Sequence, residues 1–213
     1  ILAVQIAVSG IKVERKGFVE LSPESFEEIE ALIRSPQFVW LDFDLQNAPV
    51  QQVIELLERR LDFHPLTVEE CVTPDIYQPK MEEESGYRFF IFHYFSENRR
   101  DYLKASEINI YLGKNFVLTL HRKPIATYLK RFLTNIPEDL YLFEDKSIIF
   151  FYHILDVLID DYLRTLVVIE NRGDEIEFKF LSGKEVRVPL LRLKYLQRPS
   201  ISTMEEVIAQ RHN

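Results

Sequence analysis

Apolar and polar side chains alternate along the middle of the chain with the period of a β-strand. Apolar residues fall at every second position of Glu107–Leu112, as expected for a strand with one buried face. Tyr87–Phe95 and Asn115–His121 are short, mostly apolar runs that predict two further strands. Gly113-Lys114 lies between Glu107–Leu112 and Asn115–His121 and predicts a tight hairpin. Nearer the N-terminus, strands are predicted at Ile1–Val8, ending at Ser9-Gly10, and at Phe38–Asp44.

Helix-start signals precede two amphipathic segments. In Leu21–Ser35, Ser22 is the expected N-cap and Pro23 the first helical residue. Ala48–Phe63 carries an apolar stripe with helical spacing, and a short helix is expected to begin at Pro65. A further helix is expected at Lys123–Leu133, and a long helical region is expected from about Asp145. A break at Gly183 and Pro189 separates that region from a last helix near the end of the sequence.

This order of elements predicts an α/β fold, because strands and short helices are followed by long helices alone. We expect an α/β body over residues 1–142 and long helices over residues 143–213. The chain shows no leader peptide and no initial Met, so we expect a trimmed sequence that begins at a strand. The most apolar run, Ser147–Leu163, meets three aspartates before the about 20 residues that a membrane helix needs. We therefore expect a soluble chain without a membrane span.

Charge and cysteine content limit the possible functions. The 213 residues include 26 Lys and Arg and 34 Asp and Glu, a formal net charge of −8. An acidic chain is poorly suited to bind a nucleic acid backbone and better suited to attract cations. The single cysteine, Cys71, cannot form an internal disulfide and is expected to be a small buried residue.

Two acidic segments are candidates for metal chemistry. "DFHPLTVEEC" (Asp62–Cys71) contains a histidine, two adjacent glutamates and the cysteine, but it also fits the first turns of a helix that begins at Pro65. A zinc site within this segment is disfavoured because His64 and Glu69 are five positions apart and do not share a helix face. Asp156 and Asp160 are four positions apart and do share one, which fits either a solvated acidic face or a hard divalent ion.

Enzyme signatures are absent from the sequence. It has no glycine-rich phosphate loop and no G-x-S-x-G nucleophile turn. His93 and His121 lie in predicted strands and are expected to be structural. We therefore predict that the protein is not an enzyme.

Three segments in order resemble the cytoplasmic domain of the CorA family of magnesium transporters. They are "FHPLTVEEC", "QPKMEEESGYRFFIFHYF" and "EINIYLGKNFVLTLHR", and the later "HILDVLIDDYL" and "MEEVIAQ" fit the same pattern. The sequence departs from that pattern at Gln78, where the family usually has Arg, and at Glu70, where it usually has Asp. The break at Gly183 and Pro189 interrupts a region that the family usually forms as helix, and the pore motif Gly-Met-Asn and two membrane spans are missing.

The resemblance implies an α-β-α sandwich with a mixed central sheet, followed by long C-terminal helices that form a truncated stalk. It further implies a homopentamer in the cell membrane, joined to it through helices that this chain lacks, with this part on the cytoplasmic side. Mg²⁺, with Co²⁺ or other divalent cations as further possibilities, would bind between subunits and regulate the pore. The implied ligands are Glu69 and Glu70 of one subunit and Asp156 of its neighbour.

Two alternatives remain open from the sequence. The first is the cytoplasmic domain of a related zinc transporter. The second is a stand-alone metal-binding or scaffold protein with no transport role, which is expected if the native reading frame has no membrane spans.

Overall fold

The structure is a computed structural model that describes residues 7–14, 17–46, 48–98, 101–123, 125–134, 140 and 143–182. Seven strands form one sheet. They are β1 (Ala7–Glu14), β2 (Gly17–Leu21), β3 (Val39–Asp44), β4 (Lys80–Glu84), β5 (Tyr87–Asn98), β6 (Asp101–Gly113) and β7 (Phe116–His121). Their order is β2-β1-β3-β7-β6-β5-β4. The sheet is mixed, because β3 and β7 pair in parallel while the other described neighbours pair antiparallel.

Five helices cover the two faces of this sheet. They are α1 (Phe26–Ile33), α2 (Val50–Ile54), α3 (Pro65–Val72), α4 (Ala126–Thr134) and α5 (Lys146–Leu181). α2 continues directly into a π-helical segment, Glu55–Arg60. None of the helices in the described ranges has the length and apolar composition of a membrane span.

Two hydrophobic cores lie on opposite faces of the sheet. The first contains Leu41 and Phe43 of β3 together with apolar side chains of α1, α2, the π-helical segment and α3. The second contains Trp40 of β3 together with apolar side chains of α4 and α5, including Phe150 and Ile154. Successive residues of a strand point to opposite faces, so the apolar run of β3 supplies both cores. The predicted α/β class and the α-β-α arrangement around a mixed sheet are confirmed.

The helix starts differ in part from those expected. α1 begins at Phe26, and its N-cap is Ser25, whose hydroxyl accepts a hydrogen bond from the Glu28 amide at 3.1 Å. The prediction of Ser22 as the N-cap is therefore wrong. The Glu28 carboxylate accepts in turn from the Glu24 amide at 3.0 Å, so a nearly reciprocal pair of bonds fixes the later start.

α5 begins at Lys146, close to the expected Asp145, and its first half packs against the sheet through the second core. The division of the chain at residues 142 and 143 stays a prediction. The expected break at Gly183 and Pro189 and the last helix lie outside the described residues.

Two strands have no counterpart in the sequence prediction, and β1, β5 and β6 extend beyond their predicted bounds. The first six residues of the predicted strand Ile1–Val8 lie outside the described residues. β1 runs through Ser9-Gly10 rather than ending there, and β2 and β4 are the two additional strands. Gly10 lies opposite Leu41 in the β1–β3 pair. A Cβ atom at Gly10 would lie 2.0 Å from the Trp40 carbonyl oxygen and 3.0 Å from the Leu41 Cα. The glycine is thus required by close approach of two backbones, and it does not mark a turn.

A buried polar network crosses the parallel pair of β3 and β7. The Thr119 hydroxyl accepts a hydrogen bond from the Trp40 indole at 3.0 Å and donates one to the Asp42 carboxylate at 2.5 Å. The other Asp42 oxygen lies 3.1 Å from Nε2 of His121, whose Nδ1 lies 2.8 Å from the Lys123 carbonyl oxygen. Burial alone would lower the pKa of His121, but the hydrogen bond and charge of Asp42 outweigh it and raise that pKa.

Replacement of Gly10 by Ala is expected to destabilise the sheet strongly, since the new methyl group meets backbone that cannot rotate away. We expect a loss of about 2–4 kcal/mol in the free energy of unfolding, measured by urea denaturation. Gly173→Ala is the matched control, because Gly173 lies in α5 with open space where the methyl group would stand, and this variant should become more stable by about 0.5–1 kcal/mol. Equal effects at the two positions would contradict this interpretation of Gly10.

Stability should depend on pH through the Asp42–His121 pair. Because the pKa of His121 is raised in the folded state above its ordinary 6.5, the pair stabilises fully below about pH 6.5. That contribution is lost as pH rises through the raised pKa. Asp42→Asn should therefore cost more stability at about pH 6 than at about pH 8.5, measured by urea unfolding at each pH.

The control for this pH dependence is His93→Gln. Burial lowers the pKa of His93, so its contribution to stability is present at high pH and is lost as pH falls through the lowered pKa. Replacement of His93 should therefore cost more stability at high pH than at low pH, which is the reverse of the expectation for Asp42→Asn. A cost of Asp42→Asn that stays constant across the pH range would show that Asp42 does not favour the charged form of His121.

Candidate metal site

The start of α3 is held by structural contacts. His64 is the N-cap residue, and its Nδ1 accepts a hydrogen bond from the Leu66 amide at 3.3 Å. The His64 amide donates to the Tyr87 hydroxyl at 2.8 Å. Pro65 occupies the first turn, where a missing amide proton costs nothing. His64 and Pro65 therefore have structural roles at the start of α3.

Cys71 is a buried residue of the first core. Its sulfur lies 3.5 Å from the Tyr111 hydroxyl. Burial raises the pKa of the Cys71 thiol to about 12, as expected for an unreactive thiol in an apolar core. The expectation that Cys71 is a small buried residue is confirmed.

The C-terminal end of α3 is anchored by Arg122, which follows β7. Its guanidinium donates to the carbonyl oxygen of Cys71 at 3.3 Å and to that of Val72. Thr73 adds two hydrogen bonds to the Glu69 carbonyl oxygen, from its amide at 2.9 Å and its hydroxyl at 2.7 Å. Carbonyls at a helix end have no partner within the helix, so these donors fix the last turn. Glu69 and Glu70 lie on that turn.

The two glutamates of α3 differ in environment. Glu69 is exposed, and its carboxylate makes no hydrogen bond or ion pair with the described residues. The Glu70 side chain is 15% exposed, and its Oε1 lies 2.6 Å from Nζ of Lys80. Its Oε2 is buried and has no hydrogen-bond partner among the described residues. One oxygen of Glu70 is therefore neutralised by a cation, and the other is not.

Lys80, at the start of the edge strand β4, bridges two acids. Its ammonium also lies 2.7 Å from Oε1 of Glu82. Burial opposes the charged ammonium, but the hydrogen bonds to Glu70 and Glu82 outweigh burial and raise the pKa of Lys80. The sequence around Lys80 predicts only a charged loop. The ion pair between Lys80 and Glu70 of α3 is therefore not predictable from the sequence.

A further acid, on a strand of the sheet, lies near enough to Glu70 to be affected by its charge. Glu107 of β6 accepts hydrogen bonds from the Tyr77 amide at 2.7 Å and from the Asn109 side chain at 3.0 Å. Burial is the main cause of its raised pKa, and the negative charge of Glu70 adds to it. Within the described part of one chain, no group of three or more His, Cys, Asp or Glu side chains is arranged to hold a metal ion.

The acids of α5 are divided between packing and exposure. Asp160 pairs with Arg131 and with Arg164, each at 3.6 Å. Asp161 accepts a hydrogen bond from the Tyr128 hydroxyl and lies 3.9 Å from Arg131. Asp160 and Asp161 therefore help to join α5 to α4.

Asp156, by contrast, is exposed and makes no hydrogen bond or ion pair with the rest of the described chain. With 3.6 residues per turn, it lies on the same face of α5 as four exposed apolar side chains. They are Ile148, Tyr152, Leu163 and Val167. The opposite face of α5 supplies the second core.

The structure does not bring the three predicted ligands together within one chain. α3, with Glu69 and Glu70, covers one face of the sheet, and α5, with Asp156, covers the other. The sheet lies between them. A site that uses all three carboxylates therefore needs two copies of the chain.

The family model and the relatives that match this sequence point to the same family. The sequence model of the CorA-like Mg²⁺ transporter protein family matches residues 35–211. The Bacillus subtilis (strain 168) protein YfjQ, named as a candidate metal ion transporter, is 29% identical over 147 residues, which are 68% of this chain and 44% of YfjQ. The chain thus spans less than half the length of this curated relative.

Solved structures share the fold. The complete CorA magnesium transporter from Methanocaldococcus jannaschii superposes with a TM-score of 0.65 at 19% identity, covering 100% of this chain and 64% of that one. The ZntB cytoplasmic domain from Vibrio parahaemolyticus RIMD 2210633 superposes with a TM-score of 0.60 at 12% identity, covering 97% of this chain and 80% of that one.

Arg122→Met is expected to loosen the end of α3 that carries the two glutamates. Because two backbone carbonyls lose a charged donor, we expect the free energy of unfolding to fall by about 1–3 kcal/mol in urea denaturation. Arg88→Met is the control, since Arg88 makes an exposed ion pair with Glu83 that should contribute less than about 1 kcal/mol. A similar loss in both variants would remove the anchoring role assigned to Arg122.

Proposed function

This chain belongs to the CorA-like Mg²⁺ transporter family, and we propose that it is the cytoplasmic regulatory domain of a divalent cation transporter. In this proposal Mg²⁺ binds between neighbouring subunits of a homopentamer in the cell membrane and holds the pore shut. Co²⁺ and other divalent cations are proposed as further ligands. No enzymatic activity is part of the proposal.

The observation that carries the proposal is the position of the acids on opposite layers. Asp156 lies on an exposed apolar face of α5, and such a face favours contact with another protein surface. Glu69 is exposed at the end of α3 on the opposite layer of the same chain. A ring of identical subunits brings two different surfaces of the chain together at each interface, and in this proposal the α3 layer of one chain meets the α5 layer of its neighbour. That arrangement supports a site shared by Glu69 and Glu70 of one subunit with Asp156 of the next.

The available donor atoms favour a hard ion. Glu69, Glu70 and Asp156 provide only carboxylate oxygens, which Mg²⁺ prefers. The buried Oε2 of Glu70, which lacks a partner among the described residues, fits an oxygen ligand. Zinc prefers nitrogen and sulfur, but Cys71 is buried in the first core and the Nδ1 of His64 caps α3. The donor set therefore supports magnesium over the zinc alternative.

The proposed regulation is electrostatic. Without a bound cation, the carboxylates on facing subunits repel one another, and the repulsion is strongest where water is partly excluded. A divalent cation replaces this repulsion with attraction and stabilises the closed arrangement of subunits. Loss of the ion lets the faces separate, so that ion concentration controls a two-state assembly.

Addition of Mg²⁺ is expected to raise the melting temperature of the chain and to promote its self-association. At about a hundredfold excess over Kd, binding to the native state alone stabilises by about 2.7 kcal/mol. The shift should be largely lost in the double variant Glu70→Ala with Asp156→Ala and reduced in Asp156→Asn. Differential scanning fluorimetry and sedimentation velocity with and without MgCl₂ measure the two effects.

The control for this experiment is Asp160→Asn, one turn along α5. Asp160 already pairs with Arg131 and Arg164, so its removal should leave the Mg²⁺-dependent shift unchanged. A shift that survives in the double variant would place the ion elsewhere. A wild-type chain that responds to Mg²⁺ in neither measurement would refute the proposed function.

A further inference from the structure

We propose that Lys80 is a tethered counter-ion of the metal site, and that its ammonium competes with the divalent cation for Glu70. This inference rests on the proposed function, because it concerns the affinity of that same site. The ammonium lies 2.6 Å from Oε1 of Glu70 and 2.7 Å from Oε1 of Glu82. A divalent cation that binds Glu70 must displace this ammonium or share the carboxylate with it.

The ion pair is held by two elements of fixed position. β4 pairs antiparallel with β5, and Lys80 and Glu82 lie opposite Ile91 and Phe89, which belong to the first core. Residues directly opposite each other in a sheet point to the same face, so Lys80 and Glu82 point toward α3. The end of α3 is in turn fixed by Arg122. Lys80 therefore differs from an exposed lysine that finds a carboxylate by chance.

The ammonium compensates Glu70 incompletely. It contacts Oε1, while Oε2 is buried without a hydrogen-bond partner among the described residues. A buried carboxylate oxygen without a partner is costly, and a divalent cation can satisfy it where the monovalent ammonium does not. The Lys80 side chain is 32% exposed, so water can reach the ammonium during the exchange.

Glu82 makes the exchange reversible. When a divalent cation takes Glu70, the displaced ammonium keeps its contact with Glu82 and is not left without a partner. When the cation leaves, the ammonium returns to a carboxylate that would otherwise be half-buried and unpaired. Lys80 thereby weakens the affinity for metal and stabilises the metal-free state.

Titration calorimetry with MgCl₂ on the 213-residue chain and its Lys80→Met variant tests the inference. We expect the variant to bind Mg²⁺ about tenfold more tightly, because the competing cation is gone. Its melting temperature without metal should fall and its increase on adding Mg²⁺ should be larger than in wild type. Lys80→Arg keeps the charge and should remain close to wild type in affinity.

Lys114→Met is the matched control for net charge, because Lys114 is an exposed lysine in the turn between β6 and β7. Glu82→Gln provides a second variant that does not remove Lys80. It should weaken Mg²⁺ binding severalfold, since Lys80 then has Glu70 as its remaining partner, and this effect should shrink when Lys80→Met is also present.

The outcomes separate the two proposals. If wild type binds Mg²⁺ and Lys80→Met binds no more tightly, the role of Lys80 is refuted while the metal site stands. Equal tightening in Lys114→Met also refutes it, because the effect would then come from net charge. If neither wild type nor Lys80→Met binds Mg²⁺, the proposed function fails and the role of Lys80 fails with it.

Discussion

The parallel pairing of β3 and β7 at the centre of the sheet is the constraint on which the molecule depends. Both strands are buried on both faces, so Trp40 and Leu41, adjacent in β3, enter different cores. A sheet of this kind needs a helical layer on each side to exclude water. α3 and α5 are therefore kept apart by the thickness of the sheet. The separation of the candidate ligands follows from the packing of the fold and not from the local sequence around them.

The end of β7 links these two layers. His121 and Arg122 are consecutive, and their side chains make contacts on opposite faces of the sheet. His121 contacts Asp42 and the Lys123 carbonyl oxygen near the start of α4. Arg122 contacts the last carbonyls of α3. The half-buried contacts of Arg122 therefore tie the position of the α3 glutamates to the strand end that also carries the buried Asp42–His121 pair.

Sequence periodicity predicts the strands that carry an apolar face and fails where other forces form the strand. β5, β6 and β7 are predicted because their apolar residues mark a buried face. β4 has the sequence "KMEEE", which provides no apolar face. It forms an edge strand through backbone pairing with β5. β1 is predicted to end too early because Gly10 resembles a turn residue, although its lack of a side chain permits the close approach of the Trp40 backbone. The pattern of apolar and polar residues alone reveals neither the backbone pairing of β4 nor the close approach of two backbones at Gly10.

The candidate ligands are identified by resemblance to a family, whereas their surroundings depend on tertiary contacts. Glu70 and Lys80 are separated by a bend in the chain, and Arg122 approaches α3 from 50 positions away in sequence. No local pattern predicts such pairs.

Carboxylates that bind a metal must also be tolerated in its absence, and the three candidates meet this requirement in different ways. Glu69 and Asp156 remain hydrated, so their charges cost little when no cation is bound. Glu70 is 15% exposed and loses most of that hydration, so it needs a counter-ion from the protein. Lys80 supplies one to a single oxygen of the carboxylate. A more complete compensation, by a bidentate arginine for example, would leave less reason for a divalent cation to bind. The partial neutralisation of Glu70 is thus compatible both with a stable empty domain and with exchange of the ammonium for a metal ion.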